Sequence, residues 1–552
     1  MTFSLSGFQR SSVLQEIAAK EWDLLVIGGG ITGAGIALDA QSRGIQTALI
    51  EMQDFAAGTS SRSTKLIHGG LRYLKQLEFG LVREVGQERR IVYENGPHVT
   101  RPESMLLPII QGGTYGKIAT SLGLLLYDYL AEVKQSERRK MLTAEEALLK
   151  EPLLRAEGLK GAGFYVEYRT DDARLTLEVI KAAVSHGARA VNYTRAQEFL
   201  YQEEELRGVN VQDVLSGRSF TIYAKQVVNA TGPWVDELRE WDGSKQGKRL
   251  HWTKGVHLVV DRSRFPLKQS IYFDTTDGRM VFAIPLKRKV YIGTTDTDYM
   301  GDLCYPVVTK EDRDYLLQAV NGMFPTMKLQ ATDVESSWAG IRPLIHEEGK
   351  APSEISRKDE IFYSPSGLLT IAGGKLTGYR KMAQKVTDEV AKRLNQKYDK
   401  KIGPSFTERI PLSGGDIGGA ARFPSFEAKK TQEGMALGLS KSEAEQLVNR
   451  YGSNVDELFS IIKKRGHEAK AFELPVALFA SLIYSMEYEM TLTPSDFFIR
   501  RTSALYFDIS WVRKWKQHVV LLMQNLYGWD QETKEKHLQE LKQRLREATE
   551  AV

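Results

Sequence analysis

The chain has 552 residues, 42% hydrophobic and 26% charged, with a formal net charge of +5. That length exceeds what one hydrophobic core supports, so about two to four domains are expected; the mild positive balance suits an anionic ligand or acidic lipid rather than nucleic acid. The one cysteine, Cys304, excludes a disulfide framework, a cysteine-based zinc site and an iron–sulfur cluster held by this chain alone.

Residues 1–22 lack the continuous apolar core of a signal peptide. No stretch reaches the ~18 uncharged apolar residues of a membrane-spanning helix. Scarce cysteine fits a reducing compartment. A cytoplasmic protein is expected, with peripheral attachment to the cytoplasmic face of the cell membrane left open.

Residues 23–27 (DLLVI) read as a short buried strand that runs straight into Gly28-Gly29-Gly30-Ile31-Thr32-Gly33. A helix-like run follows at 36–42, then a second strand at 47–50, which Glu51 closes 23 positions after Gly28. This is a complete βαβ unit. Gly28 permits the tight turn out of the strand, Gly30 lets the backbone approach a pyrophosphate, and Gly33 lets the helix pack closely on the sheet. The helix N-terminus offers free N–H groups and the positive dipole end to the phosphates, with Ile31 and Thr32 beside them. Glu51 can accept hydrogen bonds from the hydroxyls of an adenosine ribose. A lone glycine motif is weak, but strand, glycines, helix, strand and acid in register point firmly to a dinucleotide. The motif does not separate FAD from NAD.

The next loop, 58–63, is rich in hydroxyls; Thr59 and Ser60 can donate to the same ligand, or serve as helix caps. Residues 76–145 read mostly as helix and loop. A strand at 227–230 ends in Thr231-Gly232-Pro233-Trp234, and another at 368–372 ends in Gly373-Gly374-Lys375-Leu376-Thr377-Gly378. Both put small residues where a strand stops and a ligand can press on the backbone. Strand ends so far apart in sequence suggest one extended dinucleotide. Between them, 250–340 alternates in strand fashion, as in 257–260, 271–273, 280–284 and 290–293. Arg342 is expected in a tight Gly-Ile-Arg-Pro turn. From about 400 the composition shifts: 397–401 resembles a linker and the rest is helical by spacing. In one late helix Trp511, Trp515, Val519 and Leu522 share a face while Arg513, Lys514 and Lys516 lie elsewhere. Such a helix either rests in a membrane interface or packs on a core.

Among nine histidines, His257, expected at the start of a strand, is the best candidate for a general base; a hydrogen-bonded structural role is the alternative.

The segment from Thr59 through Lys65, His68, Gly69, Gly70 and Leu71 to Tyr73 resembles the flavin-proximal loop of FAD-dependent glycerol-3-phosphate dehydrogenases. Five further blocks resemble that family in the same order: 171–175 (DDARL), 230–234 (ATGPW), 340–344 (GIRPL), 373–377 (GGKLT) and 496–502 (DFFIRRT). The likeness spans roughly residues 20–530 and implies a D-amino-acid-oxidase-like α/β fold. That fold comprises a Rossmann-like FAD-binding domain, an antiparallel-sheet substrate domain and a C-terminal α-helical domain. The expected division is 20–75, 146–250 and 341–396 for FAD, 76–145 and 251–340 for the substrate domain, and 402–552 for the helical domain.

The resemblance implies non-covalent FAD, oxidation of glycerol 3-phosphate to dihydroxyacetone phosphate, and a membrane quinone as electron acceptor. It makes Arg342, Arg357 and Lys375 the cations facing the substrate phosphate; Arg342 and Lys375, with His257 as the candidate base, are expected to take part in the reaction itself. Arginine suits the task because its planar fork bonds two oxygens at once. His68, in its glycine-rich loop, is expected against the flavin. The expected cofactor set is Gly28, Gly30, Ile31, Thr32, Gly33, Glu51, Thr59, Ser60, Lys65, His68, Gly69, Gly70, Leu71, Thr231, Gly232, Trp234, Gly374, Lys375, Leu376 and Thr377, with no metal. Three rivals stay open: a soluble oxidase using oxygen, an amine or amino-acid oxidase of the same superfamily, and a flavin-binding protein without turnover. The oligomeric state is open too, a homodimer included.

Overall fold

The strand Trp22–Ile27 is buried along its whole length, as an apolar run covered on both faces must be. In the computed structural model, which describes residues 5–67, 79–113, 126, 138–347 and 358–552, this strand lies inside an eight-stranded sheet. Strands Thr47–Ile50 and Ser219–Asn229 flank it in parallel, and Arg189–Val191 and Leu369–Ala372 extend the parallel set. The hairpin Thr194–Gln202 and Glu205–Asp213 adds antiparallel strands. Helix Ile31–Ser42 lies between helices Asp172–Ser185 and Tyr379–Tyr398.

The second sheet has ten strands and is almost wholly antiparallel. Its alternation divides two cores. Leu258 and Val260 face the cluster that holds helix Lys310–Met323. Val259, Tyr291 and Trp338 face the helices after residue 423. That is the period-2 geometry of a strand buried on both sides.

Four expectations need correction or refinement. Residues 76–145 are not only helix and loop: Thr100–Ile110 is a strand paired with Leu159–Thr170. Pro102 and Pro108 disguised it, since proline demotes a run read from sequence. Arg342 is not in a turn but inside the strand Val334–Glu347. Among the described residues that strand pairs only with Lys248–Asp261, so it is an edge, where Pro343 forfeits no ladder bond. His257 lies well inside Lys248–Asp261 rather than at its start. Residues 159–170, grouped by sequence with the FAD segments, run in the second sheet.

Helix Ile509–Tyr527 is core-packed: Val512, Val519, Leu522 and Met523 are buried, and Trp511 meets Phe498 edge-on at 5.8 Å. Among the described residues no single helix is long and apolar enough to cross a membrane.

His98 enters the strand Thr100–Ile110 against Gly414 and Gly452, which leave no room for a side chain of their own. Burial, and then the charges of Lys181, Arg174 and Arg101, hold its pKa down at about 3. The unfolded chain takes up this proton near 6.5 and the folded chain does not, so stability is full above 6.5 and falls as pH drops towards 3. His98→Gln is expected to remove about 1.4 kcal/mol per pH unit of that slope. Thermal unfolding of both proteins across this range checks it; parallel curves would refute it.

Candidate functional site

A cavity of about 800 Å³ is lined by residues of both sheets. One wall is the turn after the first strand. Gly28 has φ +117°, and a Cβ there would sit 2.5 Å from the Ala230 carbonyl oxygen. A Cβ on Gly33 would sit 1.9 Å from the Gly28 carbonyl oxygen. Gly33 therefore does not line the cavity; it lets the helix close on the turn, while Gly28, Gly30, Ile31 and Thr32 face the ligand space. Ser60 reaches the start of this helix, its Oγ accepting from Ile31 N at 2.9 Å. Thr59 Oγ1 donates to the Ile341 carbonyl at 2.7 Å and ties the loop to the second sheet.

Glu51 takes Gly29 N on one oxygen at 2.7 Å and Gln53 N on the other at 2.8 Å. Burial raises its pKa despite both bonds. The later strand ends meet here as the sequence suggested. Thr231, Gly232 and Trp234 line the cavity, and so do Gly374, Lys375, Leu376 and Thr377. Gly373 and Gly374, at φ +73° and +79°, carry the chain round that last corner.

The other end is built on the second sheet. The His257 ring stacks on Trp338, centroids 4.7 Å apart and planes 10° from parallel. Its Nε2 lies 3.0 Å from Thr64 Oγ1. Gly293, opposite His257 in the ladder, makes room: a Cβ there would meet Cδ2 at 2.2 Å. Burial first, then the nearby Arg342 and Lys65, hold the imidazole pKa well below 6.5. The ring is therefore neutral at pH 7, as a proton acceptor must be. Arg342 lies over Gly255, where a Cβ would come within 2.4 Å of Nη2. Its Nη1 donates to the Thr295 carbonyl at 3.0 Å and Asp296 Oδ1 at 3.1 Å, and Nη2 to Thr294 Oγ1 at 2.9 Å.

Lys65 is a correction. It does not line the cavity; its buried ammonium is paired with Asp172 Oδ1 at 2.5 Å. Asp172 also accepts from Ser63 N and Oγ, so this pair shapes the loop rather than meeting a ligand. His68, Gly69, Gly70, Leu71 and Arg357 lie outside the described residues. Sequence reasoning missed Thr64, Gly255, Gly293, Trp338 and the cavity-lining stretch 194–196. Of these Gly255 had a local signal, two positions before His257 and so on the same strand face, and Thr64 lies within the loop 59–73 marked by the family likeness.

The turn, the side-chain-free approach at Gly30, the ribose-side carboxylate and the length of the cavity fit a dinucleotide that begins at Glu51 and ends near His257. Comparison with known proteins agrees. The sequence model of the FAD dependent oxidoreductase family matches residues 23–380, and that of the C-terminal domain of alpha-glycerophosphate oxidase matches 405–534. The aerobic glycerol-3-phosphate dehydrogenase of Bacillus subtilis (strain 168) is 58% identical over 548 residues, 99% of each chain. That of Staphylococcus haemolyticus (strain JCSC1435) is 54% identical over 99% of this chain and 98% of its own. The solved glycerol-3-phosphate dehydrogenase from Bacillus halodurans, complexed with FAD, superposes with TM-score 0.86 at 50% identity over 99% of both chains. An L-α-glycerophosphate oxidase from Mycoplasma pneumoniae with FAD bound shares the fold alone, with TM-score 0.54 and 16% identity over 67% of this chain and 95% of that one.

Proposed function

Because this chain belongs to the FAD-dependent oxidoreductase family, we propose that it oxidises sn-glycerol 3-phosphate to dihydroxyacetone phosphate and passes the electrons to a membrane quinone. The observation that carries the reading is the meeting, in one cavity, of the nucleotide turn with a neutral imidazole and a seated guanidinium. Full-length relatives named for this reaction support it.

Bound FAD supplies the hydride acceptor. Gly28, Gly30, Ile31 and Thr32 would cradle its pyrophosphate and Glu51 would hold the adenosine ribose, with 374–377 lining the far strand end. Arg342 and Lys375 hold the substrate phosphate, with Arg357 as a third cation from outside the described residues. Arg342 enters this task already oriented, since Thr294, Thr295 and Asp296 fix its fork. His257 takes the substrate hydroxyl proton, its ring held in place by Thr64 and Trp338.

The quinone is read from the relatives' designation as dehydrogenases. Work at the inner surface of the cell membrane follows from an apolar acceptor.

Anaerobic glycerol 3-phosphate is expected to bleach the flavin absorbance rapidly, and a soluble quinone analogue to restore it faster than dissolved oxygen. A flavin that stays yellow would sink the substrate assignment. Bleaching by amino acids instead would turn it to the amine-oxidase reading. Faster recovery in oxygen would turn the acceptor to oxygen.

A further inference from the structure

The motif 496–502 in the helical domain is not used by the chemistry above, yet its arginines reach the nucleotide turn. Asp496–Arg501 forms a π-helical turn, a geometry that recurs at functional positions. From it Arg500 Nε and Arg501 Nη1 both donate to Asp54 Oδ2. Arg501 Nη2 donates to Asp54 Oδ1 at 2.9 Å and to the Glu489 carbonyl at 2.7 Å. Asn192 Nδ2 adds a fourth donor to Asp54 at 2.9 Å. All three charged side chains are buried. Burial works to raise the Asp54 pKa, but Arg501 and Arg500 hold it down at about 2. The carboxylate is therefore a fixed anchor, saturated with donors from another part of the fold.

Asp54 stands three residues after Glu51, in a loop that folds back on the glycine motif. Ala56 N donates to the Gly29 carbonyl at 3.0 Å. Phe55 is fully buried, and its ring would meet a Cβ on Gly29 at 2.8 Å. Gln53 N is one of the two amides that hold the Glu51 carboxylate, and the Gln53 carbonyl takes Tyr193 N at 2.8 Å. Tyr193 OH returns to Asp496 at 2.7 Å, and Arg500 Nη2 to the same oxygen at 2.7 Å. Ala56 has φ +62°, a strained value for alanine that the surroundings must impose.

We propose that Arg500 and Arg501 are positioning residues for the adenosine end of the cofactor site: by gripping Asp54 they fix the loop 52–57, and with it Glu51 and the Gly29 amide. The inference rests on the reading of this cavity as an FAD site. It gives the helical domain a task in holding the cofactor, beyond covering one face of the second sheet.

Arg501→Lys keeps the charge but loses the two-toothed grip, and Asp54→Asn removes the anchor's charge. Arg174→Lys is the comparison: Arg174 is buried in the same interface and bonds Glu178 and Glu489, with no hydrogen bond or ion pair to 51–58. FAD titration of each apoprotein by fluorescence quenching is expected to show Kd raised about tenfold or more in the first two, a usual size for coupled sites, and unchanged in Arg174→Lys. Coupling is reciprocal, so in the wild type FAD should also slow hydrogen exchange at residues 496–502, which do not line the cavity. Lower melting temperatures with unchanged Kd, an equal Kd rise in Arg174→Lys, or exchange at 496–502 indifferent to FAD would each overturn the proposal. A wild-type apoprotein that binds no FAD would instead bring down the cofactor reading itself.

Discussion

His257→Gln is expected to lower turnover of glycerol 3-phosphate by roughly 10²–10⁴-fold, the range of a lost general base, with FAD still bound. Glutamine keeps a polar side chain of similar reach but accepts no proton at neutral pH. The wild-type pH profile makes the test sharper. A base works in its neutral form, and the folded pKa of His257 lies well below 6.5 because burial and the charges of Arg342 and Lys65 oppose protonation. The rate should therefore rise with pH, with its midpoint below 6.5, and be level at pH 7. In the variant that acid limb should vanish together with the rate. A variant that turns over near the wild-type rate across the range would make His257 a structural residue, packed on Trp338 and bonded to Thr64.

What could be read from the residues was what is local. The βαβ unit is contiguous, its period changes from strand to helix and back, and its glycines have tasks set by backbone geometry alone. The ends at 231–234 and 374–377 were legible for the same reason: a run of β-formers stopped by glycine looks the same wherever it lies. The misreadings come from non-local pairing. Pro102 and Pro108 argue against a strand until Leu159–Thr170 is seen beside them. Gly340 and Pro343 argue for a turn until Val334–Glu347 is known to be an edge. Lys65 entered the expected cofactor set with the loop around it, because its partner, Asp172, is 107 positions away. Gly293 carries no signal at all in its own segment; only the ladder sets it opposite His257.

Gly33 leaves almost no room for a side chain. Gly33→Ala is expected to lower FAD affinity by about 100-fold or more, an overpacking penalty of about 3 kcal/mol at the upper end of the usual range. The reason is what the new methyl group would meet. At 1.9 Å from the Gly28 carbonyl oxygen and 3.1 Å from its carbon, it strikes backbone, which has no rotamer to change. The helix must back off from the turn, or the turn must move into the space of the pyrophosphate. Either way the first-turn amides leave the positions from which they serve the phosphates. Gly28 cannot yield easily, since its φ of +117° is one that side-chain-bearing residues rarely adopt and its own approach to Ala230 is already close. Gly322→Ala is the control: it lies in helix Lys310–Met323, where a Cβ meets nothing within 4 Å, and it should leave FAD affinity unchanged. Flavin content after purification and titration of the apoprotein measure both. Gly33→Ala protein that holds FAD as tightly as the control would mean that the helix start is not what grips the cofactor, and the assignment of Gly28, Gly30, Ile31 and Thr32 to the pyrophosphate would go with it.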